Sequence, residues 1–250
     1  MSELLLARIS DITDRAENGM FAYSDFLNES EAALVKKNLP GCSQGIVYSF
    51  WGGFEGSERC RFFAYPEYYD FNDYSSCIRS VEIRGSGYAE LRHSSFLGAL
   101  TSLGIDRAKM GDIVLLQNSA ILFCDEKIAE FLLSEPPVLT RVGRDTVKIF
   151  EYEPKEDFGS EKEYKEIFDT VASPRLDAVV SALANIAREK AKSVIISGIV
   201  SQNYLVEQRP DVKVNAGDII TVRGVGKFRI VNLSDKTKKE RYRLNALKYI

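Results

Sequence analysis

The sequence has 250 residues, of which 45% are apolar, and is long enough for one to three domains with packed cores. Its 33 Lys and Arg residues against 36 Asp and Glu residues give a net charge of −3. No apolar run approaches the roughly 20 residues that cross a bilayer, and Glu3 stands where a secretory signal would carry basic residues. These features exclude an integral membrane protein and predict a cytoplasmic one.

The cysteine and histidine pattern predicts no metal site, no cofactor and no disulfide framework. Cys42, Cys60, Cys77 and Cys124 lie too far apart in sequence for a paired metal-binding motif. His93 is the only histidine, which excludes a histidine-based metal site and makes any catalytic triad depend on this one residue. Its neighbours Arg92 and Ser94 do not form a recognisable catalytic order. We therefore expect ordinary reduced core cysteines and no catalytic residue of this kind.

The small net charge hides a division along the chain. Residues 173–250 contain 15 Lys and Arg against 7 Asp and Glu, a net charge of +8, whereas residues 1–172 carry −11. A basic end on an acidic body indicates a nucleic-acid partner for the basic end. The acidic half is a candidate surface for a protein partner.

Residues 1–74 are predicted to form a small N-terminal α/β domain. Apolar residues at helical spacing indicate a helix over residues 3–18. A second helix over residues 29–39 has Asn28 as its N-cap and ends at Pro40. Strands are predicted at 46–51 and 59–65, with a glycine-rich loop at 52–57 between them. Arg59, Arg61 and this loop are further candidates for contact with RNA or a partner.

Residues 75–152 predict a second domain with the element order β-α-β-β-α-β. Ser94 or Ser95 is expected to cap its first helix, and Asp125 its second. This order is that of a split-βαβ sandwich, the ferredoxin-like or RRM-like arrangement common in RNA-binding domains. Residues 153–172, rich in Asp and Glu, are predicted to be an acidic connector, in which the stretch from Ile167 to Val171 is strand-like and leads into the final domain. The expected fold class is α+β.

Residues 173–250 predict two short helices followed by short strands and tight turns. Ser173 is the expected N-cap of the first helix, with Pro174 at the first helical position. The second helix is expected to begin near Arg188 and to end at Gly198. Arg188 and Lys192, four residues apart, should be neighbours on its exposed side. A cation in the first turn is disfavoured by the helix dipole unless an anion such as phosphate binds there.

Sequence motifs in this C-terminal region resemble the S4 RNA-binding domain. They are Arg175-Leu176-Asp177, Arg188-x-Lys190-Ala191, Ile195, Ser197-Gly198-x-Val200, Asn203 and Gly217-Asp218-x-Ile220. Upstream motifs are similar to those of the bacterial YlmH family. They are Phe26-Leu27, Gly52-Gly53-Phe54-Glu55-Gly56-Ser57-Glu58-Arg59, Tyr65-Pro66-Glu67-Tyr68 and the stretch from Arg92 to Ile105.

The resemblance implies an N-terminal domain, a middle RNA-binding domain and a C-terminal S4 domain at 173–250. It implies a non-enzymatic RNA-binding protein of the large ribosomal subunit and tRNA, acting in ribosome-associated quality control like the smaller S4 protein RqcP. A cell-division context is also attached to the family. The candidate RNA-binding residues are Arg175, Arg188, Lys190, Lys192, Asn203, Arg223, Lys227 and Arg229.

One departure from the S4 pattern bears on the two arginines. In S4 proteins, the arginines that match Arg175 and Arg188 face RNA. The second S4 helix usually opens with a serine just before the arginine, and this chain has Ala187 there. The N-cap is therefore lost, and Arg175 becomes the stronger candidate of the pair.

Two alternatives remain open at this point. Arg175-Leu176-Asp177 resembles the Arg-Leu-Asp of pseudouridine synthases, in which the Asp is the nucleophile, so the chain could be an rRNA-modifying enzyme targeted by its S4 domain. No catalytic domain follows the tripeptide, however, and we interpret Asp177 as structural or as orienting Arg175. The other alternative is a cell-division scaffold that acts through the acidic N-terminal half.

Overall fold

The computed structural model describes residues 2–39, 45–70, 77–155, 158–159, 164–233, 237 and 240–250, and the chain divides into two compact units, 1–160 and 161–250. The α-helices are α1 (Ser2–Glu17), α2 (Glu29–Asn38), α3 (His93–Ser102), α4 (Glu126–Leu132), α5 (Leu176–Leu183) and α6 (Arg188–Ile196). The strands of the first unit are β1 (Ala22–Tyr23), β2 (Ile46–Trp51), β3 (Arg61–Pro66), β4 (Ile78–Gly85), β5 (Met110–Leu115), β6 (Ser119–Asp125), β7 (Arg141–Val142) and β8 (Asp145–Tyr152). Those of the second are β9 (Tyr164–Val171), β10 (Val200–Gln202), β11 (Leu205–Val206), β12 (Ile219–Val222), β13 (Gly226–Asn232) and β14 (Tyr242–Tyr249). The predicted α+β class is confirmed.

The first layer of unit 1–160 packs α1 and α2 against the antiparallel sheet β1-β3-β2. Asn28 caps α2 as predicted, in a capping box in which its side chain accepts from the Glu31 amide and the Glu31 carboxylate accepts from the Asn28 amide. Ile9, Val35 and Phe62 are buried between the helices and the sheet.

The second layer has the predicted split-βαβ topology. Its strands lie in the order β5-β6-β4-β8-β7, with every pair antiparallel, and the buried residues of α3 and α4 share a core with one face of this sheet. Asp125 caps α4, as expected, by accepting from the Lys127 amide. The prediction that Ser94 or Ser95 caps α3 is wrong, because the helix begins at His93 and its N-cap is Arg92, two residues before Ser94.

The two layers share a core. Phe63 and Tyr65 from β3 pack with Ile121 and Phe123 from β6. The Arg61 side chain, fully buried, donates to the Asp125 carboxylate across the same junction at 2.5 Å. Residues 1–160 thus form one compact unit, and the expected boundary at residue 74 lies outside the described residues.

The second unit is a six-stranded antiparallel sheet in the order β11-β10-β12-β13-β14-β9. The buried face of this sheet shares its core with α5 and α6, through residues such as Val179, Ile195 and Phe228. Residues 164–171 form β9 and pair with β14 along eight residue pairs. The sequence analysis placed them in the acidic connector and expected a strand only over 167–171, so the strand begins earlier than predicted. These residues join this sheet because Val171 and Ile167 add apolar side chains to its core.

The start of α5 also differs from the prediction. The helix begins at Leu176 with Arg175 as N-cap, so Ser173 does not cap it and Pro174 precedes it. The backbone around the start of the helix instead pairs with residues 210–214: the Leu176 and Asp177 amides, in its first turn, donate to the Val212 and Pro210 carbonyls, both at 2.9 Å. These bonds satisfy the amide donors that a capping side chain would otherwise have accepted from.

Three of the four cysteines lie in the described part of the chain. Cys60, Cys77 and Cys124 are free thiols, and Cys42 lies outside the part of the chain that the structure describes. Within that part, no group of three or more His, Cys, Asp or Glu could hold a metal ion. None of the helices traced there is long and apolar enough to span a membrane.

Candidate nucleic-acid interface

The carboxylate of Asp177 joins the two arginines that the sequence analysis placed at the RNA surface. Asp177 is completely buried in the first turn of α5. Arg188 donates to it twice at 3.0 Å, from Nε to Oδ2 and from the terminal nitrogen NH2 to Oδ1. Arg175 donates to Oδ1 at 3.3 Å, and the Ala178 amide donates to the same oxygen at 2.9 Å. One carboxylate therefore aligns two guanidinium groups that are thirteen positions apart in the chain, one from the residue before α5 and one from the first residue of α6.

The electrostatics of this cluster favour its charged form. Burial raises the pKa of Asp177, but the hydrogen bonds and positive charge of Arg188, with the charge of Arg175, outweigh burial and hold that pKa below its usual range. The hydrogen bonds to Asp177 also raise the pKa of Arg188. Both arginine side chains remain about half exposed, at 45% for Arg175 and 42% for Arg188. Each is fixed on one side and open on the other.

Arg188 is held more firmly than the sequence analysis expected. Ala187 does lack a capping side chain, as the departure from the S4 pattern implied. The bidentate contact with Asp177 nevertheless fixes the Arg188 guanidinium, whereas Arg175 makes one longer hydrogen bond to the same carboxylate. Sequence reasoning recognised Asp177 as a partner for Arg175 but missed its stronger pairing with Arg188, because that contact spans the α5–α6 turn.

The two lysines of α6 occupy different surroundings. Lys192 donates to Glu189 at 2.8 Å, so part of its charge is balanced within the helix. Lys190 is exposed. Because residues two apart on a helix do not face each other, Lys190 lies on a different side of α6 from Arg188. Arg175, Arg188 and Lys192 therefore make up the basic helix surface, and Lys190 lies to one side of it.

Lys227 and Arg229 lie on the other side of the sheet. Both belong to β13, where they alternate with the buried residues Phe228 and Ile230 that pack in the core beneath α5 and α6. Since successive strand residues point to opposite faces, Lys227 and Arg229 project from the face away from the helices. We call this the outer face. The predicted cations thus divide between two surfaces of one unit.

Asn203 and Arg223 occupy tight turns between strands. Asn203 has φ of +51° in the β10–β11 turn, and its side chain donates to Asp218 at 2.8 Å and accepts from the Ile219 amide at 2.9 Å. These bonds tie the turn to β12, so the Asn203 amide is engaged in holding the fold. Arg223 is exposed in the β12–β13 turn beside Gly224, whose φ is +82°.

The middle sheet of unit 1–160 does not present an open RRM-like face. In an RRM, aromatic residues on the sheet stack on bases. Here Ile121 and Phe123, which alternate with residues packed against α3 and α4, are buried against Phe54 and Phe63 of the first layer. The central part of that face is therefore covered by the protein's own chain.

Arg59 and Arg61, which the sequence analysis considered for RNA contact, are structural. The Arg59 guanidinium donates to the carbonyls of Met110, Phe26 and Arg107 at 2.9–3.2 Å. Arg61 is buried and paired with Asp125, as described above. Both side chains bind the two layers of unit 1–160 together. The sequence shows their charge but cannot show which carbonyls lie within reach.

Comparison with known proteins finds similarity to one protein family, one curated protein and one solved structure. The protein family described as "Putative RNA-binding domain in YlmH" matches residues 70–156. Over 222 residues, the chain is 28% identical to the ribosome-associated protein quality control protein P2 of Bacillus subtilis, with 88% of this chain and 84% of that protein covered. The solved structure of the cell division protein ylmH from Streptococcus pneumoniae aligns with a TM-score of 0.47 and 23% identity, covering 60% of this chain and 90% of that one. The family and sequence matches confirm the resemblance to the YlmH family.

Proposed function

We propose that this chain is a non-enzymatic, cytoplasmic RNA-binding protein that binds the large ribosomal subunit and tRNA in ribosome-associated quality control. In this proposal residues 164–250 are an S4 domain, extended by β9, and they carry the main RNA contact. The name of the Bacillus subtilis relative and the description of the matching family support the RNA and ribosome parts of the proposal.

The arginine pair held by Asp177 is the observation on which the proposal depends. An arginine side chain ordinarily loses conformational entropy when it binds a phosphate. Arg175 and Arg188 are already oriented by hydrogen bonds to Asp177, so less of that entropy remains to be lost. Their open sides retain N–H donors for the oxygens of a phosphate group. Two half-exposed guanidinium groups in fixed positions are therefore better explained as a binding site for RNA phosphates than as ordinary solvated surface charges.

The same geometry argues against the pseudouridine-synthase alternative. A nucleophilic carboxylate must reach the reacting atom of its substrate. Asp177 has no exposed surface, and its two oxygens accept from two arginines and a backbone amide. It acts in our proposal as a positioning residue for the arginines.

Co-sedimentation of the full chain with purified large ribosomal subunits tests the proposal. Replacing Arg175 and Arg188 by Gln should each weaken binding by about an order of magnitude, the effect of losing about 1.4 kcal/mol of charge-assisted hydrogen bonding. Arg15→Gln removes the same charge from α1, far from these arginines in sequence, and should leave binding unchanged. Unchanged co-sedimentation of both arginine variants would refute the proposal.

A second measurement separates RNA binding from RNA modification. Nucleosides of ribosomal RNA from a strain that lacks the gene can be compared with wild type by mass spectrometry. The proposal predicts identical nucleosides. A modification that is missing from the deletion strain would contradict the non-enzymatic role.

A further inference from the structure

The outer face of the C-terminal sheet combines aromatic rings with cations. Cross-strand registers place Tyr164 opposite Tyr249 at one end of the β9–β14 pair and Phe168 opposite Asn245 further along it. The Tyr164 and Tyr249 rings meet edge to face, with centroids 5.1 Å apart. Phe168 is 70% exposed, an unusual degree of exposure for a large apolar side chain on a strand.

The cations of this face lie among these rings. Lys227 Nζ is 4.9 Å from the centroid of Tyr249 and 5.6 Å from that of Tyr204, which lies in the β10–β11 turn. Arg229 follows on the same strand face, and Arg243 lies on β14 opposite Thr170, diagonal to Phe168. Along β12, β13, β14 and β9, alternation assigns one acidic residue, Glu166, to this face. The face is therefore positively charged.

A cavity of about 490 Å³ opens beside Phe168. Asn245, Arg243 and Asp169 line it together with the exposed ring. The Asn245 Oδ1 atom is buried and has no hydrogen-bond partner within the described ranges. An unpaired amide oxygen next to an exposed ring suits a nucleobase, because a base offers a flat surface for stacking and N–H donors on its edge.

We propose that the outer face binds unpaired nucleotides of RNA, with a base stacked on Phe168 and phosphates contacted by Lys227, Arg229 and Arg243. This inference rests on the proposed RNA-binding function and adds a second contact surface to it. The helix surface has fixed arginines and no exposed ring, so it suits a phosphate backbone. The outer face has both rings and cations, and this combination is typical of proteins that bind single strands.

The charges on this face favour RNA over an apolar partner. The cores of protein–protein interfaces are depleted of charged residues. Here Arg229 lies directly opposite Leu247, and Arg243 borders Phe168, so an apolar partner would have to bury cations with its apolar contacts. A phosphate backbone would neutralise these cations instead.

Substitutions at Phe168 in the full chain test the inference, with binding measured by fluorescence anisotropy. The two probes are an oligouridylate of about 12 nucleotides, within the span that one such surface covers, and a blunt RNA duplex of similar length. Phe168→Ala should weaken binding of the oligouridylate on the order of tenfold, within the range for loss of one base stack, and leave duplex binding unchanged. Phe168→Tyr should bind like wild type, and Phe168→Leu should bind like Phe168→Ala, because stacking needs a ring. Phe131→Ala, which removes a partly exposed ring from α4 of the first unit, is the matched control and should have no effect.

Each other outcome overturns the inference. Unchanged oligouridylate binding by Phe168→Ala would show that the ring contacts no base. Full binding by Phe168→Leu would show apolar contact rather than stacking. Sedimentation velocity that shows a wild-type dimer lost in Phe168→Ala would assign the face to a second copy of this chain. Arg188→Gln, measured with the duplex, separates the two proposals: if it weakens duplex binding while Phe168→Ala has no effect, the proposed function stands and the outer-face inference fails.

Discussion

Asp177 is buried, and its carboxylate has no direct contact with RNA in the proposed function. Its importance comes from the alignment of Arg175 and Arg188: Arg188 donates to both carboxylate oxygens and Arg175 to Oδ1. A buried carboxylate is costly unless it is paired, and this one is paired with two cations and a backbone amide. The same contacts that stabilise the fold therefore also orient the proposed phosphate-binding groups.

We expect Asp177→Asn to weaken both stability and RNA binding. Asn can accept at one oxygen only, so the bidentate contact with Arg188 is lost. The free energy of unfolding should fall by about 1.5–3 kcal/mol, the range for hydrogen bonds to charged groups. Urea unfolding and large-subunit co-sedimentation measure the two effects. Asp211→Asn, an exposed carboxylate of the same unit, is the control and should change neither.

The depressed pKa of Asp177 also predicts a pH dependence. A carboxyl whose folded pKa lies below its unfolded value of about 4 stabilises the protein above that value. This stabilisation disappears as the pH falls through the lower pKa of the folded state. The difference in unfolding free energy between wild type and Asp177→Asn should therefore be largest near neutral pH and shrink from about pH 4 downward. A difference that stays constant between pH 7 and pH 3 would contradict this account.

Among the helices and strands, the features that the sequence predicted correctly depend on residues close together in the chain. The capping box at Asn28 and Glu31 and the cap at Asp125 each involve residues within one helical turn. Ser173 failed as a cap because residues 174–177 pair with residues 210–214, more than thirty positions away. No local pattern could show that pairing.

The strand β9 was predicted only in part, for a related reason. Residues 167–171 were identified as strand-like, but residues 164–166 were assigned to the connector alone. It lies at the edge of the sheet, and its outer-face residues include Glu166 and the exposed Phe168, so its composition is that of a solvated connector. Only Ile167 and Val171 contribute apolar side chains to the core. The strand forms because its eight residues pair with β14, which lies some seventy positions or more further along the chain.

The position of β9 predicts where the C-terminal unit begins. A fragment of residues 161–250 should fold cooperatively, whereas one of residues 173–250 should be much less stable. The shorter fragment leaves β14 unpaired along one edge and removes Val171 and Ile167 from the core, at about 1.5–3 kcal/mol for each fully buried side chain. Thermal unfolding followed by circular dichroism compares the two fragments. Equal melting temperatures would show that β9 is dispensable.

For the whole molecule, the sequence identified the basic region but not its geometry. Counting charges assigned +8 to residues 173–250, and the predicted cations do lie in one compact unit. Their division between the helix surface and the outer face depends on strand register, which sets whether Lys227 or Phe228 points into the core. Register comes from pairing between distant segments, so composition cannot reveal it.

The covered sheet of unit 1–160 has a consequence for where RNA binds. The predicted RRM-like topology is present, yet Ile121 and Phe123 are buried where an RRM would expose aromatic rings. The first unit, residues 1–160, also carries 25 of the 36 Asp and Glu residues against 16 Lys and Arg, a net charge of −9. We therefore expect the electrostatic part of RNA binding to come from the second unit.

This expectation leads to a prediction about salt. If the full chain contacts about four phosphates, the logarithm of its RNA affinity should fall with the logarithm of salt concentration with a slope of about −3 to −4. Replacing both Lys227 and Arg229 by Gln removes two of the proposed contacts and should reduce the magnitude of the slope by about 2. Replacing Arg15 and Lys37 by Gln, which removes the same charge from the first unit, should leave the slope unchanged. Anisotropy titrations over a range of salt concentrations measure all three slopes.

A flat salt response of the wild-type chain would contradict phosphate binding. An equal loss of slope in both double variants would show that net charge, rather than the C-terminal surface, controls the affinity.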